Sequence, residues 1–334
     1  MKANPQQMRV TQQWACAAPV ISCRFDPTGE FVFASTEDYT VQRWRMADGH
    51  KVAYPVAHES WVGALAFVDK GTTLVTGGCD GHILYWPVSG DKPQPTRSIN
   101  AHAGWVRSLA VSPDGKWIAS GGNDHRVKVW NAADGKLVRE LVGHSSHVYC
   151  VYFARGSSPG GALLSGDLQG ELRQWDVATG KTIRTFDAKA LHTYEPGQRV
   201  DYGGVRTLAL TTDGQHLVAG GLYNGSNPLG AVNEVLILRF AWRDQKKIRQ
   251  HLAPGIQAVV WRLIAHPEGF LLGGCAGTSG GFIACWKDDA DKDFFRFQLP
   301  TVVRDLDLHP DGLRLAAAQF DKKLRIVTMA PKAA

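Results

Sequence analysis

The chain has no Cys-x-x-C pair and no cysteine–histidine cluster at zinc spacing, although it carries six cysteines, Cys16, Cys23, Cys79, Cys150, Cys275 and Cys285. That absence excludes a sequence-encoded zinc module or a dithiol redox motif, and leaves small buried hydrophobes in a reducing compartment. No segment approaches the roughly 18 apolar residues of a membrane span. The opening stretch "MKANPQQMRVTQQWACAAPV" holds no apolar core for a secretion signal, so a cytoplasmic protein with no membrane contact is expected. Lysines and arginines form no run. A net charge of +6 over 334 residues favours solubility and leaves an acidic partner open, without pointing to nucleic acid. Charged residues are only 20% against 44% hydrophobic, which permits a packed core and excludes disorder.

What the chain has instead is repetition. "SGGNDHRVKVW" at 120–130 sets an Asp six residues before a Trp, "TGGCDGHILYW" at 76–86 has the same layout, and "ASTEDYTVQRW" at 34–44 keeps the spacing without the glycines. The same slot recurs at Trp175, Phe240, Trp286 and Val327. Successive slots lie 42, 44, 45, 65, 46 and 41 residues apart. All but the fourth interval fall near the roughly 40 to 45 residues of a four-stranded propeller repeat. Because each such unit buries its apolar face only against its neighbours, one domain over 1–334 is expected in place of the two that length alone suggests.

Within the third repeat "WVRSLAV", "KWIAS", "RVKVW" and "KLVRELV" read as four strands, the first two joined by "SPDG". The turns "DPTG", "TTDG", "HPEG" and "HPDG" recur after strands such as "VISCRF", "VGALAF", "VYCVYF", "VRTLAL", "VWRLIA" and "VRDLDL", which are expected to be innermost. The seventh unit stops after its third strand, while "QMRVTQQW" precedes the first unit and belongs to none. The fold class expected is therefore all-β: a seven-bladed β-propeller of four-stranded antiparallel blades, its ring closed by residues 6–14 completing blade 7, which removes the open sheet edge.

On these motifs the chain resembles the WD40-repeat family over essentially its whole length, and the regular "SPDG" and "ADGK" phrasing is closer to bacterial members. The family pattern is a Gly-His before the inner strand, a Ser/Thr in the second, an Asp in the next turn and a Trp in the third. The resemblance implies a structural network of His58, Thr76, Asp80 and Trp86 in repeat two, and of His102, Ser120, Asp124 and Trp130 in repeat three. Repeat four offers His144, Ser165 and Trp175, with Gln169 at the Asp slot and Asp167 two residues away. Repeat one keeps Asp38 and Trp44 with Ala34 in the hydroxyl slot, and repeat seven keeps only Asp321. The Asp accepting from the His, and the indole donating to the hydroxyl, would tie loop to strand through buried polar bonds. These histidines are read as structural rather than catalytic or metal-binding.

Function must then be sought on the surface. The loops leading into the inner strands and the turns between second and third strands share one face, here the top. Three irregular segments fall there: "DAKALHTYEPGQRVDYGG" at 187–204, "LYNGSNPLGAVNE" at 222–234 and "GGCAGTSGG" at 273–281. Just before the inner-strand valine stand Trp61, Trp105 and His147, and just after it Arg107, Tyr149, Arg206, Trp261 and Arg304. These are residue types of binding hot spots, expected to ring the channel mouth. Candidate chemistry is thin. "DDADKD" at 288–293 has Phe294 where a calcium loop needs Gly and Pro300 where it needs Glu, and so reads as a solvated turn. "GGCAGTSGG" lacks the Lys of a phosphate loop. The trio His192, Glu195 and Asp201 lies on a single loop, and "NGS" at 224 matters only in a secreted protein. No nucleophile–base pair is readable, so no catalytic residue, cofactor or metal is expected. The reading is a non-catalytic scaffold binding a protein or peptide on the top face; the alternative is an anion or nucleic acid held by the basic residues Arg107, Arg206 and Arg304.

Overall fold

The computed structural model describes residues 2–154, 160–225 and 234–331. Among these residues it forms seven four-stranded antiparallel sheets and one two-stranded hairpin. Blade 3 shows the pattern, running outward through Val106–Val111, Trp117–Gly122, Val127–Asn131 and Leu137–Leu141. Second strands such as "WIASGG" and "TLVTGG" are buried on both faces because neighbouring blades cover them, hence their run of small and apolar residues. Outer strands are mostly exposed. In the first turn of blade 3, Gly115 adopts φ +73°. Ser112 Oγ meets both Asp114 (2.6 Å) and the Trp117 amide (2.9 Å), so the turn is fixed by its own side chains.

The seven slots occupy one register. Val32 pairs with Trp44, Leu74 with Trp86, Ile118 with Trp130, Leu163 with Trp175, Leu217 with Phe240, Leu271 with Trp286 and Leu315 with Val327. A large side chain there fills the space between one blade and the next, as the buried Trp44, Trp86, Trp286 and Phe240 do. The ring closes as expected, three residues later at its start: Pro5–Gln7 is a 3₁₀ turn, and the strand Arg9–Ala15 pairs with Lys323–Thr328, Trp14 opposite Leu324. Trp14 also stacks on Trp44 at 5.9 Å, fastening blade 7 to blade 1.

Blades 2 to 4 contain the expected polar chains. Trp86 Nε1 donates to Thr76 Oγ1 (3.0 Å), which meets His58 Nε2 (2.7 Å), and His58 Nδ1 faces Asp80 (2.9 Å). Because the carboxylate can only accept, the tautomer that donates from Nδ1 fits, and its Nε2 takes the hydrogen of the hydroxyl that accepts from the indole. Blade 3 repeats this through Trp130, Ser120, His102 and Asp124 at 2.9, 2.7 and 2.8 Å. Burial opposes the charge on Asp80, yet bonds from His58 and the His82 amide hold its pKa down at about 2.

In blade 4 the acid is Asp167 and not the residue at 169. His144 Nδ1 lies 2.9 Å from Asp167, while Gln169 takes a bond from Ser145 Oγ. Gly78 and Gly122 hold the equivalent strand-end position in blades 2 and 3, where a Cβ would stand 2.4 Å from the His58 or His102 ring. Blade 4 puts its carboxylate there directly.

Two of the irregular segments prove ordered. Within 187–204 a 3₁₀ turn, Lys189–Leu191, precedes the hairpin His192–Glu195 and Val200–Gly203. Leu191 enters the core, and Tyr202 packs with Leu222 and Val259, seating the hairpin over blades 5 and 6. "GGCAGTSGG" is not a loop: Phe270–Gly277 and Gly280–Lys287 pair continuously to Gly277 opposite Gly280. Its glycines answer crowding, since a Cβ at Gly277 or Gly281 would meet the carbonyl of Gln257 or Thr301 at 2.3 or 1.9 Å. Of the third segment, residues 226–233 lie outside the described residues, and its flanks pair as Tyr223 opposite Glu234.

Candidate functional site

Every innermost strand breaks register at the same place: between Val20 and Ser22, Val62 and Ala64, Val106 and Ser108, Val148 and Cys150, Val205 and Thr207, Val260 and Arg262, and Val303 and Asp305. The residue skipped in each case is Ile21, Gly63, Arg107, Tyr149, Arg206, Trp261 or Arg304. A bulge leaves its residue unpaired and re-aims its side chain. All seven line one axial cavity of about 720 Å³. Five of the eight expected binding residues are therefore aimed inward by a repeated backbone irregularity that no sequence pattern announces.

The mouth is a stack. Trp61 and Trp105 meet edge to face at 6.4 Å between centroids. The Arg107 guanidinium lies 4.3 Å over Trp105 and 4.7 Å over Tyr149. Arg206 lies 4.1 Å over the same Tyr149 and 5.3 Å over Trp261. Rings and guanidinium groups thus alternate from Trp105 to Trp261 across blades 3 to 6, each cation facing a ring's negative face. Trp61, Trp105 and Trp261 remain 40%, 37% and 37% exposed.

Two expected members depart from this arrangement. Arg304 lines the cavity but is neutralised by Glu37 at 2.9 Å. His147 is not part of the wall; it lies 5.3 Å from the His125 ring, and burial followed by the Arg107 charge lowers its pKa.

Deeper in the cavity stand four charged residues not singled out from the sequence: Arg24, Arg262, Asp305 and Asp307. Asp305 accepts from Ser22 Oγ (2.5 Å), Arg24 (2.6 Å) and the Cys23 amide (3.2 Å), and Asp307 accepts from the Phe25 amide (2.8 Å). These carboxylates fasten blade 7 to blade 1, as Thr207 Oγ1 and Ser108 Oγ do elsewhere by accepting the Leu263 and Val151 amides. The available signal was a charged residue inside an apolar strand, in "VISCRF", "VWRLIA" and "VRDLDL". Burial raises the Asp307 pKa, while burial and then Arg24 lower that of Arg262.

Cys79 also lines the cavity, but burial pushes its thiol up to about 11, which disfavours the reactive thiolate. His192 and Asp201 pair at 2.6 Å while Glu195 caps the Gly197 amide, so that trio does not converge. Three of the four acids of "DDADKD" are taken by arginines: Asp288 by Arg239, Asp291 by Arg249 and Asp293 by Arg296. His144, Asp167 and Glu171 bring three ligand-type atoms within 4.8 Å, with His144 and Asp167 bonded to each other and Glu171 to Arg173. No helix among the described residues is long and apolar enough to cross a membrane.

No curated protein matches this chain. The family described as WD domain, G-beta repeat matches it at residues 9–45, 50–87, 93–131 and 135–176. Each matched unit takes the outer strand of one blade with the three inner strands of the next, Arg9–Ala15 with blade 1 and Lys51–Ala53 with blade 2, so matching repeats and blades are offset by one strand. That offset is what lets the amino-terminal strand close the ring. With four matched repeats in a propeller of seven four-stranded blades, the chain belongs to the WD40-repeat family, whose fold typically mediates protein–protein interaction.

Proposed function

We propose that the chain is a single-domain, non-catalytic scaffold that binds a protein or peptide at the channel mouth of its top face, through Trp61, Trp105, Arg107, Tyr149, Arg206 and Trp261. The observation that carries this reading is the stack of alternating aromatic rings and guanidinium groups over a cavity of about 720 Å³. Large rings held rigid while partly exposed lose little entropy when a partner covers them. All six cysteines are free, in keeping with a cytoplasmic setting. The alternative of a nucleic acid on a basic ring draws less support, because Arg304 is paired with Glu37 and Arg107 is held by Asn123 at 2.7 Å.

Affinity capture from the native extract tests the proposal, comparing wild type with the Trp61→Ala/Trp105→Ala/Arg107→Ala variant. One partner enriched by wild type and lost from a variant of unchanged unfolding temperature is expected. Equal capture by both proteins overturns the assignment of this face.

A further inference from the structure

Within the cavity the cations outnumber their partners. Five arginines line it, Arg24, Arg107, Arg206, Arg262 and Arg304, against two aspartates, Asp305 and Asp307. Arg24 takes Asp305, and Arg304 takes Glu37. The Nε atoms of Arg206 and Arg262 are buried without a hydrogen-bond partner. Among the described residues no carboxylate is paired with Arg206, which lies over the rings of Tyr149 and Trp261. Arg262 stands 3.9 Å from an Asp305 already committed to Arg24. A guanidinium nitrogen buried without a hydrogen-bond partner is costly, and two such groups on one cavity wall favour a planar anion.

Resting on the top-face reading, we infer that the partner anchors through a carboxylate, either a free C terminus or an Asp or Glu side chain, set beside an aromatic or aliphatic group. The apolar group covers Trp61, Trp105 and Trp261 while the carboxylate passes between them to Arg206 and Arg262. Two features select a monoanion over a polyanion. The cations sit inside a bounded cavity instead of along a surface track. Asp305 and Asp307 share that cavity and oppose a second negative charge, such as the roughly 1.5 to 2 units of a phosphate. Burial lowers the pKa of both Arg107 and Arg206, the strain an incoming anion relieves.

The test is a degenerate peptide display screened on the full chain. Selected peptides are expected to share one acid, internal or terminal, next to an aromatic or aliphatic residue. Changing the internal acid to its amide, or amidating the C terminus, identifies which source supplies the carboxylate and weakens binding roughly tenfold or more. Arg206→Gln on the protein does the same, with little further loss when both changes are combined. Arg262→Gln serves as the second variant, each being used only if its unfolding temperature matches wild type. If Trp61→Ala/Trp105→Ala abolishes binding while Arg206→Gln, Arg262→Gln and the amide change nothing, the carboxylate inference falls and the top-face reading stands. A screen that selects nothing, or peptides indifferent to all these changes, overturns both. Inorganic phosphate displacing the peptides where equal acetate does not would assign the pocket to phosphate and overturn the carboxylate.

Discussion

In blades 2 to 4 the second strand is six residues long and its end is pinned to the preceding loop by the Asp–His–hydroxyl–Trp chain. In blades 5 and 6 the second and third strands are eight residues each and that chain is gone. Its loss is coordinated. Ala219 and Gly273 replace the hydroxyl, Phe240 has no donor to satisfy, and Trp286 donates to the Leu252 carbonyl at 2.8 Å. Backbone pairing carried out to Tyr223–Glu234 and Gly277–Gly280 does what side chains do in the other blades. A different network joins blade 5 to blade 6: Arg239 bonds Asp288 and His251 Nε2 (3.2 Å), and His251 Nδ1 donates to the Ala290 carbonyl (2.7 Å). A blade turn can thus be fixed by a buried polar chain or by a longer ladder. The two solutions should fail differently.

The largest difference concerns packing. Trp286→Ala in blade 6 should cost about 3 to 5 kcal/mol, because the ladder supplies no substitute for a fully buried ring. Next come Asp124→Ala and Asp167→Ala, about 1 to 3 kcal/mol each, since each strands a buried histidine donor. Denaturant unfolding measures all three. A neutral Asp167→Ala would mean that the chain in blade 4 is ornamental and that its strands alone suffice.

Acid separates the two regions without mutation. Burial pushes the His251 pKa down to about 4 from 6.5, so its contribution is complete above 6.5 and is lost as pH falls through 4. Asp80 is held at about 2 against 3.8, so the tie in blade 2 persists until pH falls below 3.8 and is lost towards 2. Hydrogen exchange at pH 5, corrected for intrinsic rates, should show Lys247–Leu252 losing protection before His82–Pro87 does. Simultaneous loss would remove the distinction.

The same contrast explains what could be read beforehand. Trp86, Trp130 and their histidines announce themselves because each chemical role demands a residue type at a fixed distance from the slot. Gly277 and Gly281 mislead because a glycine required by a carbonyl 2 Å away looks like one required by a loop. The mouth residues were visible by alignment, but their inward aim comes from seven bulges, and a bulge is a backbone event without a composition. Arg262 and Asp305 show in the sequence only as charges inside apolar strands, which does not say whether that face of the strand looks into a channel or outward.

Blade 4 offers the finest test, because it keeps the polar chain while moving one link. Spacing counted back from Trp175 points to Gln169, whereas the strand end supplies Asp167. Asp167→Gly alone removes the acceptor of His144 and should cost as much as the alanine. Gln169→Asp alone crowds a second carboxylate beside Asp167 and Glu171, and should destabilise slightly. Combined, they rebuild the geometry of blade 3, with glycine at the strand end and acid in the turn, and stability should return to within about 1 kcal/mol of wild type through a positive coupling. A double variant no better than Asp167→Gly would show that the loop carrying His144 fits only an acid reaching from the strand. Blade 4 would then belong, in its mechanics, with the blades that rely on their strands.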